Sequence, residues 1–343
     1  MANENVSKTA LRFVESLFSN SSEKLNFKAD KYQIDKLTGD ASTRRYYRLD
    51  DDKKSFIACL SEPNETMANF CEVQKILKAE GVDVPVIFDT DMDAGYLLQE
   101  DLGNTTLLKK NSDYKNFKEE LDTYKKIIDQ LILIHTIDVT KYSKSCFFNR
   151  SFDKDKYNFE INFTKKYLVN GLLSADSDKE FDKLLDETFL KVCDPLVKAS
   201  FVLTHRDFHS RNVMVLGDRL SIIDFQDARM GIPQYDLVSL LEDCYYQLNE
   251  KNKDDLKKYY WDNFIEKKKM QKSYDEYLRL YDFMTLQRTF KAMGSFAYIF
   301  KTRKDERYLK YIGHCFEKLR GVLMKYPEFE EFRVSFSRRY YDH

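Results

Sequence analysis

The sequence has little glycine, no closely spaced cysteines and no long apolar run. Only 10 of its 343 residues are Gly, against 26 Phe and 23 Tyr, a composition typical of an aromatic-rich, well-ordered protein. The net charge of −1 gives no indication of binding to nucleic acid or to an anionic membrane. A hydrophobic fraction of 43% can bury a sizeable core, so we expect one two-lobed unit or two domains.

The cysteines lack a Cys-x-x-Cys spacing, which argues against a disulfide framework or a zinc site and favours reduced thiols. They are Cys59, Cys71, Cys146, Cys193, Cys244 and Cys315. The N-terminal residues show no basic segment followed by an apolar core, and no apolar run approaches the ~20 residues of a membrane span. We therefore expect a soluble, cytoplasmic protein that binds no membrane and no nucleic acid and has no evident protein partner.

Residues 201–225 carry the strongest pattern in the chain. Phe201–Thr204 is apolar or β-branched throughout, which predicts a short buried strand. Two further strands are predicted at Val213–Leu216 and Arg219–Ile223. The pair Gly217-Asp218 separates them, and such a pair is typical of a tight hairpin turn because Gly adopts the positive φ that the turn requires.

The predicted hairpin brings one Asn and two Asp towards a single point. Val213 lies opposite Ile222, so Asn212 and Asp224 meet at the open end, and Asp207 precedes Asn212 by five positions. Asn and Asp are also common turn formers, which is the simpler interpretation of any one of them. Together they suit phosphoryl transfer, because amide and carboxylate oxygens bind Mg²⁺ and a further Asp can accept the proton of an attacking hydroxyl.

The motif His205-Arg-Asp207-x4-Asn212, followed by Ile-Asp224-Phe, resembles the catalytic loop and metal-binding motif of the protein-kinase-like phosphotransferases. The resemblance is to the aminoglycoside/choline kinase branch. It implies ATP and Mg²⁺ as cofactors, Asp207 as the catalytic base, Asn212 and Asp224 as metal ligands, and His209 near the γ-phosphate. Asp236, which lies at the start of the next predicted helix, follows Asp224 by only twelve residues. No peptide-docking segment fits there, so we expect a small-molecule acceptor.

The first hundred residues resemble the small lobe of such kinases. The turn with Gly39 and Ser42 lies between two predicted strands and is expected to cover the nucleotide phosphates. The third strand, Ser55–Leu60, lacks the Lys that protein kinases carry there. Arg44, Arg45 or Arg48 on the neighbouring strand could substitute for it, and a solvated surface position is the simpler interpretation of any one of them. The absence of this Lys also leaves open the alternative that the protein is a catalytically silent nucleotide-binding module.

A predicted strand ends at Glu100-Asp-Leu102, where related kinases bind the adenine edge through the backbone. Glu72 lies on the predicted helix Asn69–Ala79, and without a strand Lys its role is open. Another strand is predicted at Val84–Phe88. The nucleotide-binding residues implied by the resemblance are therefore Gly39, Ser42, Arg44, Glu100 and Leu102.

The remainder of the chain is predicted to be mostly helical. A long helix after Asn116 carries His135 on its apolar face, where we expect a hydrogen-bonded core histidine. Residues 140–160 are aromatic and irregular, and we expect a lid or a substrate-facing insert. A helix is also predicted over residues 7–19, and helix breaks are predicted near residues 271–273 and 304–305. Asp236 at a predicted helix start is expected to accept backbone N–H groups, and the resemblance implies that these belong to the catalytic loop.

Arg288 and Lys291 are three residues apart and so share one helix face. Such a pair ordinarily lies on a solvated helix surface. Here the phrase Gln287-Arg-x-x-Lys-x-x-Gly294-x-Phe resembles one subgroup of the branch, the bacterial anomeric kinases of N-acetylmuramate and N-acetylglucosamine. The subgroup resemblance runs from about residue 37 to about residue 312, and it implies that Arg211, Arg288 and Lys291 lie near the acceptor.

We expect an α+β, two-lobed protein-kinase-like fold. Residues 1–101 form an antiparallel-sheet lobe, and residues 102–343 form a mostly helical lobe with the catalytic hairpin. The expected activity is ATP-dependent phosphorylation of a sugar hydroxyl, the anomeric hydroxyl of N-acetylmuramate or N-acetylglucosamine in peptidoglycan recycling. The alternatives are another small-molecule kinase, of the aminoglycoside or choline type, and the silent nucleotide-binding module.

Overall fold

The computed structural model describes residues 33–37, 44–50, 53–61, 65–173 and 178–342. The described residues form two compact units. The first contains the residues up to Thr106 together with Val213–Asp227, and the second contains Leu107–Asn212 and the residues from Ala228 onward. The predicted helix over residues 7–19 and the predicted turn with Gly39 and Ser42 lie outside the described residues.

The strands, in chain order, are β1 (Gln33–Leu37), β2 (Arg45–Asp50), β3 (Ser55–Leu60), β4 (Ile87–Asp91), β5 (Tyr96–Glu100), β6 (Val202–Thr204), β7 (Val213–Leu216), β8 (Arg219–Ile222) and β9 (Arg229–Gly231). The helices are α1 (Glu65–Ala79), α2 (Leu107–Lys110), α3 (Phe117–Thr136), α4 (Lys154–Thr164), α5 (Lys179–Lys198), α6 (Gln234–Leu241), α7 (Glu250–Tyr260), α8 (Glu266–Lys268), α9 (Tyr274–Arg303), α10 (Leu309–Leu323) and α11 (Glu330–Tyr341). Two π-helical segments follow α4 and α7, at Lys165–Leu172 and Trp261–Ile265.

The first unit is built on a five-stranded antiparallel sheet with strand order β1-β2-β3-β5-β4. One face buries an apolar cluster that includes Leu49, Ala58 and Leu98. β3 has the bounds predicted from the sequence and carries no Lys. β4 begins at Ile87, three residues later than predicted, in keeping with the lack of a backbone N–H at Pro85.

β7 and β8 form the predicted hairpin. Gly217 adopts a φ of +60°, and Val213 pairs with Ile222 as the turn chemistry indicates. β6 pairs with β9 in a second two-stranded sheet, which belongs to the helical unit. The predicted strand before the catalytic loop is therefore present.

The sequence predicts the hairpin in the second lobe, but in the structure it belongs to the first unit. The first segment of that unit also ends at Thr106 rather than at residue 101. The hairpin belongs to the first unit because of its backbone hydrogen bonds. The Ile222 N–H donates to the Asp83 carbonyl over 2.7 Å, and the Val215 N–H donates to the Thr105 carbonyl over 2.8 Å. The hairpin is thereby bonded to backbone of the first unit along both of its strands.

The second unit is organised around α9, which packs against α4, α5, α6 and α10. Ser273 caps the start of α9 by accepting the Glu276 N–H, and Lys304 ends it in the left-handed conformation at a φ of +55°. Both predicted helix breaks are thus confirmed. No helix in the described ranges combines the length and the apolar character that crossing a membrane requires.

The expectation of a lid over residues 140–160 is wrong. Phe147 and Phe152 are fully buried, and the Phe152 ring stacks on Tyr235 with a centroid distance of 4.0 Å. Asp153 caps α4, which begins at Lys154. The segment belongs to the core of the second unit because Phe147, Phe152 and Tyr157 are buried, although Phe148 and Phe159 are exposed.

Candidate active site

The catalytic loop follows β6 and is fixed by Asp236. This buried carboxylate, on α6, accepts the His205 N–H over 2.6 Å and the Arg206 N–H over 2.9 Å. Arg206 has a φ of +81°, a conformation that costs free energy for a non-glycine residue and that the two hydrogen bonds hold in place. The predicted role of Asp236 is confirmed.

The prediction that His135 is a hydrogen-bonded core histidine is also confirmed. Its Nε2 lies 3.2 Å from Asp236 Oδ2, and its Nδ1 lies 2.5 Å from the Tyr260 hydroxyl.

A second buried carboxylate, Asp243, fixes the other end of the loop, and sequence reasoning missed it. Its Oδ2 accepts the Ser210 N–H over 2.9 Å, and its Oδ1 accepts the Tyr245 N–H over 2.8 Å. Asp236 and Asp243 therefore hold backbone on both sides of Asp207. α6 ends at Leu241, so Asp243 lies beyond the helix and its spacing from Asp236 carries no helical signal that could have indicated the pair.

Asp207 lines a cavity of about 120 Å³ within the second unit. The cavity is lined by Asp207, His209, Val238, Ser239, Glu242, Asp243, Cys244, Tyr245, Arg288, Thr289, Lys291, Ala292, Ser295 and Phe296. The structure thus brings together four of the residues singled out from the sequence: Asp207, His209, Arg288 and Lys291.

Cations around Asp207 keep it ionised. Burial alone would raise the pKa of this carboxyl, but Arg206, Lys291, Arg288 and His209, in that order, lower it well below its usual range. Arg206 Nη1 lies 3.7 Å from Asp207 Oδ2. An ionised carboxylate can accept a hydrogen bond from an acceptor hydroxyl and orient its oxygen.

Arg288 and Lys291 reach the cavity from α9. The Arg288 guanidinium lies over the Tyr235 ring, 5.0 Å from its centroid, and Nη1 donates to the Tyr235 hydroxyl over 3.3 Å. Burial lowers the pKa of Lys291 more than Asp207 and Glu160 raise it. The pKa of Arg288 is raised, because Tyr235 and Asp207 outweigh its burial. The site therefore holds one permanent cation and one that titrates below the usual range of lysine.

Close packing between α4 and α9 supports these two cations. Gln287 Nε2 on α9 donates to Glu160 Oε2 on α4 over 2.9 Å. At Gly294 the helices approach so closely that an added Cβ would lie 2.6 Å from the Thr164 Cα. The glycine of the sequence phrase is therefore required by a helix crossing beside Lys291.

Asn212 and Arg211 also lie on the catalytic loop. Asn212 Nδ2 donates to the Asp207 carbonyl over 2.9 Å, which turns its Oδ1 to the opposite side. The Arg211 guanidinium lies over the Tyr245 ring at 4.8 Å. Burial lowers the pKa of Arg211, but hydrogen bonds with Tyr308 and Tyr245 raise it overall. Arg211 is held by aromatic hydroxyls, and among the described residues it is not part of the cavity lining.

Asp224 lies in the first unit, after β8. It has a φ of +68°, and its Oδ1 accepts a hydrogen bond from Gln226 Nε2 over 2.8 Å. The Phe225 ring is buried and stacks on Phe70 of α1 with a centroid distance of 4.7 Å. The strained backbone at Asp224 sets the orientation of its carboxylate, and the buried Phe225 side chain anchors this segment in the core.

Arg44 lies in the same part of the first unit. Its guanidinium is 5.8 Å from the centroid of Phe70. Burial lowers its pKa, but Tyr46, Cys59 and Asp224 raise it overall, so Asp224 is one of the groups that stabilise its charge. Burial also raises the pKa of Tyr46 to about 12. Arg44 thus remains a candidate for the role of the missing strand lysine.

Arg48 and Glu100 are occupied by structural contacts. Arg48 binds Asp101 through two hydrogen bonds, of 2.6 and 2.9 Å. Glu100 forms an ion pair with Arg219 of the hairpin, and its Oε2 accepts the Val86 N–H over 3.1 Å. The side chain of Glu100 therefore stabilises the first unit, and a role in nucleotide binding is left to the backbone at Glu100 and at Leu102, which is buried.

These two units and the residues around Asp207 define a kinase-like phosphotransferase. Residues 33–262 match the phosphotransferase enzyme family that is abbreviated APH. The match covers most of the chain, and the chain belongs to this family.

The chain is also similar to curated proteins. It is 30% identical over 292 residues, 84% of this chain and 85% of the relative, to an N-acetylmuramate/N-acetylglucosamine kinase from Neisseria meningitidis serogroup B. It is 27% identical over 305 residues, 86% of this chain and 85% of the relative, to a kinase of the same name from Pseudomonas aeruginosa.

Solved structures show the same fold at low sequence identity. An ADP-bound aminoglycoside phosphotransferase is 15% identical, with a TM-score of 0.59 over 87% of this chain and 97% of that one. A choline/ethanolamine kinase family protein from Mesorhizobium loti is 16% identical, with a TM-score of 0.58 over 88% and 91%. The expected kinase-like fold is confirmed.

Proposed function

We propose that this protein is an ATP-dependent sugar kinase that phosphorylates the anomeric hydroxyl of N-acetylmuramate or N-acetylglucosamine. The observation that carries the proposal is the Asp207 carboxylate in a cavity that also presents Arg288 and Lys291. The names of the Neisseria and Pseudomonas relatives, which match over 84% and 86% of the chain, support the choice of sugars.

Asp207 is the catalytic residue of the proposed reaction. It accepts a hydrogen bond from the anomeric hydroxyl and orients that oxygen for in-line attack on the γ-phosphate. Its lowered pKa makes it a weak base, so it receives the proton only as the new oxygen–phosphorus bond forms. His209, two residues further on, is proposed to contact the transferred phosphoryl group.

Asn212 and Asp224 are the proposed Mg²⁺ ligands. An amide oxygen and a carboxylate are hard oxygen donors of the kind that Mg²⁺ binds, and the orientation of Asn212 is compatible because its Nδ2 is used by the Asp207 carbonyl. When bound, the ion would neutralise charge on the nucleotide phosphates. Arg44 is proposed to bind those phosphates from the first unit, together with the turn at Gly39 and Ser42.

The charges of the cavity favour a neutral or acidic sugar. Two carboxylates in the lining, Glu242 and Asp243, are already engaged. Glu242 forms ion pairs with Lys253 and Lys318 at 3.2 and 3.3 Å, and Asp243 accepts two backbone N–H groups. Arg288 is proposed to bind the lactyl carboxylate of N-acetylmuramate through a charge-assisted pair.

We place the reaction in the cytoplasm, in the recycling of peptidoglycan sugars. Two points support this placement. ATP is available there, and both candidate acceptors are sugars of the bacterial cell wall.

An ATP-consumption assay across a panel of acceptors tests the proposal. N-acetylmuramate and N-acetylglucosamine should be phosphorylated, and release of the phosphate by mild acid, to which a phosphate on the anomeric oxygen is labile, or NMR should locate it there. Asp207→Asn is the control for contaminating activity. Turnover of kanamycin or choline with neither sugar accepted would contradict the substrate assignment, and no turnover of any acceptor would favour a silent nucleotide-binding module.

A further inference from the structure

Two cysteine thiols meet beside the cavity. Cys244 lies in the loop after α6 and is half-buried, and Cys315 lies on α10 and is fully buried. The Cys315 thiol donates to Cys244 Sγ, with 3.1 Å between the two sulfurs. Cys244 is also part of the cavity lining, together with His209 and Arg288. A small oxidant that enters the cavity therefore meets Cys244, whose sulfur has a second thiol beside it.

The surroundings give the two sulfurs different reactivities. The hydrogen bond from Cys315 lowers the pKa of Cys244, and Lys318 and Arg288 lower it further against the opposing effects of burial and Asp243. The same hydrogen bond and burial raise the pKa of Cys315. The thiolate is the nucleophilic form of cysteine, so Cys244 is the attacking sulfur and Cys315 the resolving thiol.

We propose that Cys244 and Cys315 form a redox modification site, at which hydrogen peroxide closes a reversible disulfide that impairs acceptor binding. The Cys244 thiolate attacks one peroxide oxygen and the O–O bond breaks. One oxygen stays on sulfur as sulfenic acid, and the other leaves as hydroxide and takes up a proton. The Cys315 sulfur then attacks Cys244 Sγ, and the oxygen leaves as a second water. Two thiols and one peroxide give one disulfide and two waters, and a dithiol reverses the change.

Closing the disulfide moves the loop that carries cavity residues. A disulfide has an S–S distance of about 2.0 Å, so the sulfurs must approach by about 1 Å. Cys244 lies between Asp243, which holds the catalytic loop, and Tyr245, whose ring packs edge-on against His209 with centroids 5.5 Å apart. Oxidation therefore shifts the part of the cavity lining that Asp243, Cys244 and Tyr245 form. The effect on acceptor binding rests on the proposed function, whereas disulfide formation does not.

The chemistry is tested on the reduced full chain treated with hydrogen peroxide. The expected product is lighter by about two hydrogen masses, has lost two titratable thiols, and yields a Cys244–Cys315 cross-linked peptide that a dithiol removes. Cys146→Ser is the matched control, because Cys146 is also half-buried, and it should form the same cross-link. Cys315→Ser should stop at a sulfenic acid on Cys244, which dimedone traps.

The functional effect is measured on the same samples. Peroxide should lower kcat/KM for the acceptor sugar several-fold, reversibly, in the wild type and in Cys146→Ser, but not in Cys315→Ser. Absence of the cross-link in the folded wild type, or a cross-link between other cysteines, overturns the proposal without any variant. A cross-link that leaves kcat/KM unchanged overturns the effect on binding. A cross-link in a protein that phosphorylates neither sugar leaves the site intact and contradicts only the proposed function.

Discussion

Replacing Gly294 by Ala should destabilise the second unit, although Ala is the better helix former. An ideal Cβ at Gly294 would lie 2.6 Å from the Thr164 Cα and 2.8 Å from the Thr164 Cβ, well inside van der Waals contact. One of these atoms belongs to the backbone, so a rotamer change cannot relieve the clash. The helices α4 and α9 must move apart by roughly 1 Å to restore contact at the ~3.5–4 Å optimum.

The magnitude follows from two opposing effects. Overpacking of a core costs about 1–3 kcal/mol, and the contact with backbone favours the upper part of that range. The gain in helix propensity from Gly to Ala is about 0.5–1 kcal/mol. The net loss should be roughly 2 kcal/mol of unfolding free energy. Gly321, in α10, is the matched control, because an added Cβ meets nothing within 4 Å. Gly321→Ala should stabilise the protein by up to about 1 kcal/mol.

Urea unfolding followed by circular dichroism measures the change in unfolding free energy of both variants. Kinetics with the acceptor sugar measure the effect on the active site. Gly294 lies on the helix that presents Arg288 and Lys291, so the separation of α4 and α9 should raise KM for the sugar in Gly294→Ala and leave it unchanged in Gly321→Ala. Equal stability of Gly294→Ala and wild type would refute the close approach of the two helices. So would a larger loss of stability in Gly321→Ala.

Four further results are expected. Asp207→Asn should lower kcat by more than about tenfold, ~1.4 kcal/mol of barrier, and calorimetry should show ATP binding nearly intact. Arg288→Ala should raise KM for N-acetylmuramate about tenfold more than for N-acetylglucosamine, which lacks the carboxylate, and equal effects would exclude this contact. Burial lowers the pKa of Lys291 from 10.5, so Lys291 should lose its charge at a pH below 10.5. KM for N-acetylmuramate should increase as this charge is lost, and Lys291→Arg should move the increase to higher pH. Asp224→Ala should remove Mg²⁺-dependent nucleotide binding, which a Mg²⁺ titration at fixed ATP measures.

Features fixed by local chemistry could be predicted from the sequence. The hairpin register depends on Gly217, whose positive φ sets the turn, and the structure has the predicted pairing. The start of α9 depends on Ser273, a strong N-cap, and its end on Lys304. The role of Asp236 could be predicted only through the family resemblance, because the N–H groups that it accepts belong to His205 and Arg206, 31 and 30 residues earlier, and not to its own helix.

Features that depend on distant partners could not be predicted. Nothing in the neighbourhood of Asp243 indicates that it binds the Ser210 N–H, 33 residues earlier in the chain. The same is true of the aromatic residues between 140 and 160, because burial of Phe152 requires the Tyr235 ring, which the chain supplies much later. The placement of the hairpin in the first unit likewise depends on Asp83, which pairs with Arg219 at 2.8 Å.

The strand that lacks the lysine of the motif has another cation beside it. β3 presents Ala58 and Cys59 where the motif would lead to Lys, and Cys59 pairs with Tyr46 on the neighbouring strand. Arg44 lies beside this pair, and Asp224 contributes to its charged state. Since Arg48 is occupied by Asp101, we propose Arg44 rather than Arg48 as the substitute for the lysine.

Fold and acceptor choice are separate properties of this chain. Its solved structural neighbours include an aminoglycoside phosphotransferase and a choline/ethanolamine kinase family protein, yet at 15–16% identity they define only the architecture. A cationic acceptor would need unpaired carboxylates or open aromatic faces in the cavity. Here Glu242 is neutralised by Lys253 and Lys318, and Asp243 accepts two backbone N–H groups. The ring of Tyr245, which is part of the lining, is covered by the Arg211 guanidinium. The charges that remain directed at the cavity are cations beside one ionised Asp207, an arrangement that repels a second cation and accommodates a sugar carboxylate.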